Sequence, residues 1–181
     1  MDLHLPDLKF MRKKLGLTQQ ELAKQAAVSQ SLIAKIESSK IDPTYSHVQK
    51  IAEALNRLNK KQELKASQIM QTKIIAARPD DKIALVIEKM KKYGISQMPV
   101  IDNNTAVGTI SETALLHGLL QHKGEQVKEL MEEAPPIVAG QTGITLITNL
   151  LQFSSMVLVA EKGKLTGVIT KSDVLNNLKG F

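Results

Sequence analysis

From Ala66 onward the chain contains the same pattern twice, and a repeated pattern requires a fold built from two similar units. Residues 66–90 align with residues 127–151 at an offset of 61, and residues 96–116 align with residues 154–175 at offsets of 58–59. Each copy is expected to form a β-α-β-β-α unit. A unit of about 60 residues buries too little apolar surface to be stable alone, so we expect the two copies to pack together as one domain.

Each copy closes with a similar heptad, GTISETA at positions 108–114 and GVITKSD at positions 167–173. A strand is expected to give way to a helix inside the heptad, and the amide groups at a helix start favour an anion. In the second copy Thr170 adds a hydroxyl, Lys171 a cation, and Asp173 a carboxylate that can accept hydrogen bonds from a diol. A phosphate beside a diol is the outline of a ribose phosphate.

The same heptad also fits a purely structural role. Thr170 or Ser172 would cap the helix, and Asp173 would complement the helix dipole. Seven residues alone do not decide between a ligand site and a capped helix.

The first 65 residues differ from the rest in charge and in pattern. They carry 12 Lys and Arg against 7 Asp and Glu, whereas residues 66–181 carry 12 against 11. A basic end favours an anionic partner. Residues 6–56 show the spacing of short amphipathic helices, with a capping box from Thr18 to Glu21 and a cap at Ser29.

The third of these helices has a polar face that could read DNA. At 100° per residue, its apolar residues separate from Gln30, Ser31 and Lys35. Gln can bind adenine and Lys can bind guanine in the major groove. An ordinary surface helix shows the same separation, so periodicity alone leaves both interpretations open.

The sequence TQQELAKQAAVSQSLIAKIESSK, residues 18–40, resembles the helix-turn-helix of the phage-repressor and Cro-like (XRE) family, and the resemblance extends over residues 6–56. It implies an all-α, lambda-repressor-like domain that binds duplex DNA. It also implies an ion pair between Arg12 and Glu37. Ala27 stands where the family usually has glycine, and a left-handed conformation there costs about 1 kcal/mol. The residues that the resemblance assigns to DNA contact are Gln19, Ser29, Gln30, Ser31, Lys35 and Lys40.

Residues 66–181 resemble a tandem pair of CBS domains, whose paired repeats bind adenosine-containing ligands such as AMP, ATP or S-adenosylmethionine. The match rests on the leading Ile-Met and Leu-Met pairs, the SQMPVI of the first copy, and the closing heptads. It implies that Asp173 holds the ribose hydroxyls and Thr170 the phosphate, with the adenine walled by neighbouring strands. The residues implied for this site are Ile137, Met156, Val157, Thr170, Lys171 and Asp173.

The first copy differs at the position of the ribose acid. It keeps a hydroxyl at Ser111 but has Ala114 where the second copy has Asp173. A diol there would lose its acceptor, at a cost of about 1–3 kcal/mol. We therefore expect a weak or vestigial site at Met98, Ser111 and Ala114, and one working site in the second copy.

Together these features predict an α+β chain with an N-terminal helix-turn-helix domain and a C-terminal CBS pair of two β-α-β-β-α repeats. We place the helix-turn-helix domain at residues 1–58, a linker at 59–65, and the repeats at 66–124 and 125–181. The predicted function is a ligand-responsive transcription regulator, similar to archaeal regulators that combine these two domains. It is expected to act as a homodimer through the CBS domains. The alternative is a regulatory or bridging subunit whose helix-turn-helix binds a protein.

Composition and motifs argue against several other classes. The chain has no cysteine, hence no disulfide or thiolate metal site, and it shows no P-loop, dinucleotide-binding glycine motif or HExxH motif, so we expect neither an enzyme nor a metal protein. No secretory signal and no apolar run near the ~18 residues of a membrane helix is visible, so we expect a cytoplasmic protein. The histidines lack metal-ligand spacing; they are His4, His47, His117 and His122.

Overall fold

The computed structural model describes residues 5–121 and 124–177. The chain divides into two compact units, Met1–Glu63 and Leu64–Phe181. His4 and His122, named above, lie outside the described residues.

The first unit is all-α, as the helix-turn-helix resemblance implied. A 3₁₀ turn at Leu5–Asp7 leads into four helices: α1 (Leu8–Lys14), α2 (Gln19–Gln25), α3 (Gln30–Glu37) and α4 (Tyr45–Gln62). With few aromatic residues in the chain, the core is aliphatic. Its fully buried members include Leu8, Leu22, Ile33 and Ile51.

Capping fixes where these helices begin, and the structure confirms the predicted caps. Thr18 Oγ1 accepts from the Glu21 amide at 3.2 Å, while the Thr18 amide donates to the Glu21 carboxylate at 2.7 Å. Ser29 Oγ accepts from the Leu32 amide at 3.2 Å. Ala27, between α2 and α3, takes the expected left-handed conformation with φ of +51°.

Helix α4 is longer than the sequence predicted. It continues through residues 59–62 of the predicted linker and ends at Gln62, just before the division between the two units. One apolar side of α4 is buried through Ile51, Ala54 and Leu55, whereas residues 59–62 are exposed. Most of the predicted linker is therefore a solvated continuation of a packed helix.

The second unit contains both repeats. The first repeat consists of α5 (Ala66–Ile69), α6 (Ile83–Tyr93), β1 (Gln97–Asp102), β2 (Thr105–Ser111) and α7 (Glu112–Leu120). The second begins with a 3₁₀ turn at Val127–Glu129 and continues with β3 (Ile137–Ala139), α8 (Ile144–Phe153), β4 (Met156–Glu161), β5 (Lys164–Thr170) and α9 (Lys171–Asn177). Strand β3 runs parallel to β4, which pairs antiparallel with β5. In the first repeat, β3 is represented by a single parallel bridge between Ala77 and Val100.

The strand registers give a more exact alignment of the two repeats. Gln97 pairs with Ser111 in β1–β2, and Met156 pairs with Thr170 in β4–β5, so the hairpins correspond at a constant offset of 59. The predicted offset of 58 at the start of the strand was wrong. Met98 therefore corresponds to Val157 rather than to Met156.

Each repeat contributes a segment from near its start to the sheet of the other repeat, and we call this arrangement the exchange. Gln71 of the first repeat pairs with Val168 in β5 of the second, and Glu132 of the second pairs with Thr109 in β2 of the first. Each bridge has two backbone hydrogen bonds of 2.8–3.2 Å. The first repeat's core accordingly includes Val127. Each repeat therefore needs a segment of the other to complete its sheet and its core.

Candidate functional sites

Helix α3 presents the polar face that the sequence predicted. Ile33 and Ile36 are buried in the first unit, whereas Gln30, Ser31 and Lys35 are exposed. The separation leaves the hydrogen-bonding side chains on the outer side of the helix. Of the other predicted contacts, Ser29 uses its hydroxyl as the cap of α3, and Lys40 lies exposed beyond the end of the helix.

A chain of side-chain hydrogen bonds holds this face in place. Gln30 Nε2 donates to Gln19 Oε1 at 3.0 Å, and Gln19 Nε2 donates to Glu37 Oε2 at 2.9 Å. Gln19 and Gln30 are the first residues of α2 and α3. Their amide groups are therefore brought side by side at the amino ends of two helices.

The chain ends on a buried ion pair, which confirms the prediction for Arg12 and Glu37. Arg12 Nε donates to Glu37 Oε1 at 2.6 Å and Nη2 donates to Oε2 at 2.8 Å, while Nη1 reaches the Leu17 carbonyl at 2.6 Å. The Arg12 hydrogen bonds hold the pKa of Glu37 below its ordinary value, against the opposing effect of burial. Because two fixed hydrogen bonds orient this charged carboxylate, it can fix the orientation of the Gln19 amide in turn.

The turn that closes the second repeat is held by Asp173. Its Oδ2 accepts from the Thr170 amide at 2.8 Å and from the Thr170 hydroxyl at 2.7 Å. Its Oδ1 accepts from Gln71 Nε2 at 2.9 Å, across the exchange between the repeats. The side chain is 7% exposed. In this state the capping role is realised, and a ligand diol would compete with Gln71 and Thr170 for the carboxylate.

The other predicted residues of this site fall into two groups. Met156 lies beside Thr170 by strand pairing, and Lys171 is the exposed first residue of α9. Ile137, at one edge of the three-stranded sheet, is 50% exposed. The side chains of Met156 and Val157 are different, because both are fully buried, and Val157 lies in the core of the second repeat.

The turn of the first repeat also contains a hydroxyl–carboxylate pair. Ser111 Oγ accepts from the Ala114 amide at 3.1 Å and donates to Glu132 Oε2 at 3.3 Å. Ala114 is half-buried, and Met98 is fully buried in the core of its repeat. Sequence reasoning did not identify Glu132. The available signal was the offset of 61, which pairs Glu132 with Gln71.

The motif glycines explain why these residues reach the turns. A Cβ on Gly167 would lie 2.5 Å from Met70 Sδ and 3.0 Å from the Gln71 carbonyl oxygen. A Cβ on Gly108 would lie 3.0 Å from Met131 Sδ and 2.9 Å from the Glu132 carbonyl oxygen. Only glycine gives the exchanged segment room to run against the last strand.

Comparison with family models agrees with this division of the chain. A model described as helix-turn-helix matches residues 8–58, and a model described as CBS domain matches residues 66–121 and 127–180. Among curated proteins, a zinc metalloprotease of Methanocaldococcus jannaschii is 32% identical over 112 residues, which cover 62% of this chain and 31% of the protease. An inosine-5'-monophosphate dehydrogenase of Mycobacterium tuberculosis is 34% identical over 110 residues, covering 58% of this chain and 20% of the enzyme.

Solved structures resemble the CBS part. CBSX2 of Arabidopsis thaliana, in complex with AMP, has a TM-score of 0.55 and 26% identity, covering 62% of this chain and 93% of that chain. A CBS domain pair in complex with 5'-methylthioadenosine and S-adenosyl-L-methionine has a TM-score of 0.58 and 19% identity, covering 63% and 94%. Since this chain spans less than a third of the two enzymes above, they share one module with it.

Two classes of site are missing from the described part of the chain. Within residues 5–121 and 124–177, no three His, Asp or Glu side chains are grouped so that they could hold a metal ion. None of the described helices is both long and apolar enough to span a bilayer.

Proposed function

This chain belongs to the CBS domain family and carries a helix-turn-helix domain before its CBS pair, and on that premise we propose that it is a transcription regulator whose binding to duplex DNA responds to an adenosine-containing ligand. The domains themselves indicate a regulatory rather than a catalytic architecture. The observation that carries the DNA half of the proposal is the fixed pair of Gln19 and Gln30 on a basic domain.

DNA recognition would combine two kinds of contact. The exposed Gln30, Ser31 and Lys35 would read base edges in the major groove. Gln19, at the start of α2, and Lys40, beyond α3, would contact the backbone phosphates. Because Gln19 is already bonded to Gln30 and Glu37, little side-chain freedom would be lost when the complex forms.

The second-repeat turn supports the ligand half of the proposal. Asp173 would accept the ribose hydroxyls, and Thr170 and Lys171 would face the phosphate. Ile137 would flank the adenine, and Met156 and Val157 could contribute only through their backbones, since both side chains are fully buried. The complex of CBSX2 with AMP supports an adenine nucleotide as the ligand.

We place the nucleotide site in the second repeat and regard the first-repeat site of Met98, Ser111 and Ala114 as weak for a nucleotide. Ala114 offers no acceptor to a diol. Glu112 stands where the second repeat has Lys171, and a carboxylate at that position would repel a phosphate.

Dimerisation would occur through the helices of the CBS pair, whose outer faces carry large apolar side chains. Exposed fractions of 60%, 58% and 80% occur at Leu116, Leu119 and Leu120 of α7, and Phe153 of α8 is 91% exposed. Apolar side chains grouped on one helix favour a protein interface. A two-fold dimer would present two recognition helices to two half-sites on DNA.

The ligand would act by binding two arrangements of the CBS dimer with different affinity, since only such a difference transmits an effect between sites. The arrangement would set how well the two recognition helices match their half-sites. Because the proposed partner is genomic DNA, we place the regulator in the cytoplasm.

The test begins with selection of bound sequences from a random pool of duplexes by the full-length chain. We expect a two-fold symmetric sequence to be enriched. Fluorescence anisotropy on that duplex should give a negative slope of log affinity against log salt concentration. A saturating concentration of AMP should change the affinity at fixed salt.

Variants locate the contacts. Gln30→Ala should weaken the selected duplex by about 1–3 kcal/mol and relax sequence preference, whereas Lys40→Ala should weaken all duplexes alike. Gln49→Ala, an exposed glutamine on α4, is the matched control and should change neither. Absence of salt-dependent duplex binding would contradict the proposal and favour the bridging subunit.

A further inference from the structure

The second repeat keeps its carboxylate within the closing heptad, and the first repeat has a carboxylate that arrives from elsewhere in the chain. Asp173 accepts from Thr170 Oγ1 at 2.7 Å, and Glu132 accepts from Ser111 Oγ at 3.3 Å. Thr170 and Ser111 correspond at the offset of 59. Both turns therefore pair the same hydroxyl position with a carboxylate.

The residue that delivers this carboxylate also has a counterpart. Glu132 corresponds to Gln71 at the offset of 61, and each follows the methionine that packs against a motif glycine. Gln71 Nε2 donates to Asp173 Oδ1 at 2.9 Å. The second turn is thus built from an amide and a carboxylate, and the first from a carboxylate and a methyl group.

Backbone pairing fixes Glu132 at this place. Its amide donates to the Thr109 carbonyl at 2.8 Å and its carbonyl accepts from the Thr109 amide at 3.2 Å. Gly108 allows the close approach. The carboxylate therefore stands on an anchored strand beside the turn, two positions along β2 from Ser111, and does not depend on a flexible loop.

We propose that Glu132 is the diol-binding carboxylate of the first repeat, and that this site takes an adenosine compound without phosphate. The inference rests on the proposed function, because it assumes that the CBS pair binds adenosine-containing ligands. It extends that function by giving the two repeats different ligand classes.

Charge selects the class. Glu132 and Glu112 give the first turn two carboxylates and no lysine, whereas Lys171 balances Asp173 in the second. A phosphate would be repelled at the first turn and attracted at the second. A neutral nucleoside, or an adenosyl compound with a cationic sulfonium, meets no such repulsion.

The experiment measures binding of adenosine and AMP to the full-length chain by calorimetry. Wild type should bind about one AMP per chain and about one more adenosine than AMP. Asp173→Ala should lose AMP and keep one adenosine per chain. In that background Glu132→Gln should weaken adenosine by about tenfold or more, since a hydrogen bond to a charged group is lost.

Two further variants separate a specific role from loss of structure. Glu133→Gln, again with Asp173→Ala, removes the same charge one residue away and should change adenosine binding by less than about twofold. Adding Ala114→Asp to the Asp173→Ala/Glu132→Gln protein copies the second repeat's amide and carboxylate into the first. This triple variant should regain the adenosine binding that the double variant lost, which a misfolded protein would not do.

The results separate failure of the Glu132 proposal from failure of the proposed function on which it rests. A wild type that binds neither adenosine nor AMP contradicts the proposed ligand class and with it the inference. A wild type that binds AMP, with an Asp173→Ala variant that binds no adenosine, contradicts the inference alone. Undiminished adenosine binding in the Asp173→Ala/Glu132→Gln protein would also overturn it.

Discussion

The hairpins of the two CBS repeats pair in the same register, but the side chains differ at the place where a ligand would bind. Their hairpins share a register at a constant offset, and both carry the irregularity after the fourth residue of the first strand. Both closing heptads begin with a glycine, in the last strand of the hairpin, against which the segment from the other repeat runs. The conserved part of the design is the backbone contact between repeats.

The differences in the closing heptads include three positions that bear on a ligand. The second repeat has Thr170, Lys171 and Asp173, and the first has Ser111, Glu112 and Ala114. The fold requires only the cap and the glycine, which both turns possess. Two similar folds therefore do not imply two similar ligand sites.

The largest effect is expected at Asp173. Asp173→Ala removes the acceptor for both ribose hydroxyls and should weaken AMP by about 100-fold or more, because hydrogen bonds to a charged group are lost. Calorimetry on the full-length chain measures it. A change in the turn of the first repeat, Ser111→Ala, should leave the affinity for AMP within about twofold of wild type. If the two variants lost equal affinity for AMP, the two repeats would be equivalent as nucleotide sites.

The glycines should matter equally in both repeats. Gly167→Ala and Gly108→Ala each place a Cβ within 3.0 Å of a backbone carbonyl oxygen in the exchanged segment. Each should lower the free energy of unfolding by about 1–3 kcal/mol, as overpacking does. Chemical denaturation of the two variants checks this. If only one substitution destabilised the protein, the exchange would not be symmetric.

A smaller effect is expected from the charge beside the hydroxyl. Lys171→Glu should weaken AMP by about threefold to tenfold at low salt, and the loss should shrink at high salt because exposed charges are screened. AMP titrations at two ionic strengths measure both quantities. Glu112→Lys alone should create no strong AMP site in the first repeat, because the carboxylate of Glu132 still lies beside Ser111 and repels a phosphate. A second strong AMP site in that variant would show that the charge at position 112 alone separates the repeats.

The smallest effect concerns an ion pair found in the first repeat. The Nζ atom of Lys89 lies 3.0 Å from Oδ2 of Asp81. The corresponding residues of the second repeat, Leu150 and Thr142, cannot form an ion pair. Burial acts to raise the pKa of Asp81, but hydrogen bonds from the Arg78 amide and from Lys89 outweigh it and keep the pKa below its ordinary value. A carboxyl whose pKa is lower in the folded than in the unfolded protein stabilises the fold at pH values above the unfolded-state pKa. This stabilisation is lost as the pH falls through the folded-state pKa.

Asp81→Asn should therefore lower the free energy of unfolding of the full-length chain by less than about 1 kcal/mol at pH 7. The difference in the free energy of unfolding between the variant and wild type should narrow as the pH falls from the ordinary pKa of an aspartate toward the lower pKa of folded Asp81. Denaturation at pH 7 and pH 3 measures both values. A difference that grows toward acid pH would have the wrong sign for a depressed carboxylate.

Local patterns predicted much of this structure. The capping box at Thr18, the cap at Ser29 and the division into helical and repeated parts all follow from spacing over a few residues. The ion pair of Arg12 and Glu37 came from family resemblance, and the structure shows the bidentate contact. These features depend on short segments or on a motif of high specificity.

The first-repeat turn could not be predicted in the same way. Ser111 and Glu132 are 21 residues apart, and Gln71 and Asp173 are 102 apart. Only the exchange of the leading segments brings them together, and no local pattern states that exchange. The strand register was missed for a related reason: the second copy is two residues shorter between helix and strand, and the gap cannot be located without the pairing.

The central claim is that the second repeat, through Asp173, holds an adenine nucleotide that the first repeat does not. A crystal structure of the full-length chain grown with AMP tests it most directly. We expect one AMP per chain, with both ribose hydroxyls donating to Asp173 and the phosphate beside Thr170 and Lys171. AMP in both repeats, or AMP bound beside Ser111 with the Asp173 turn unoccupied, would contradict it.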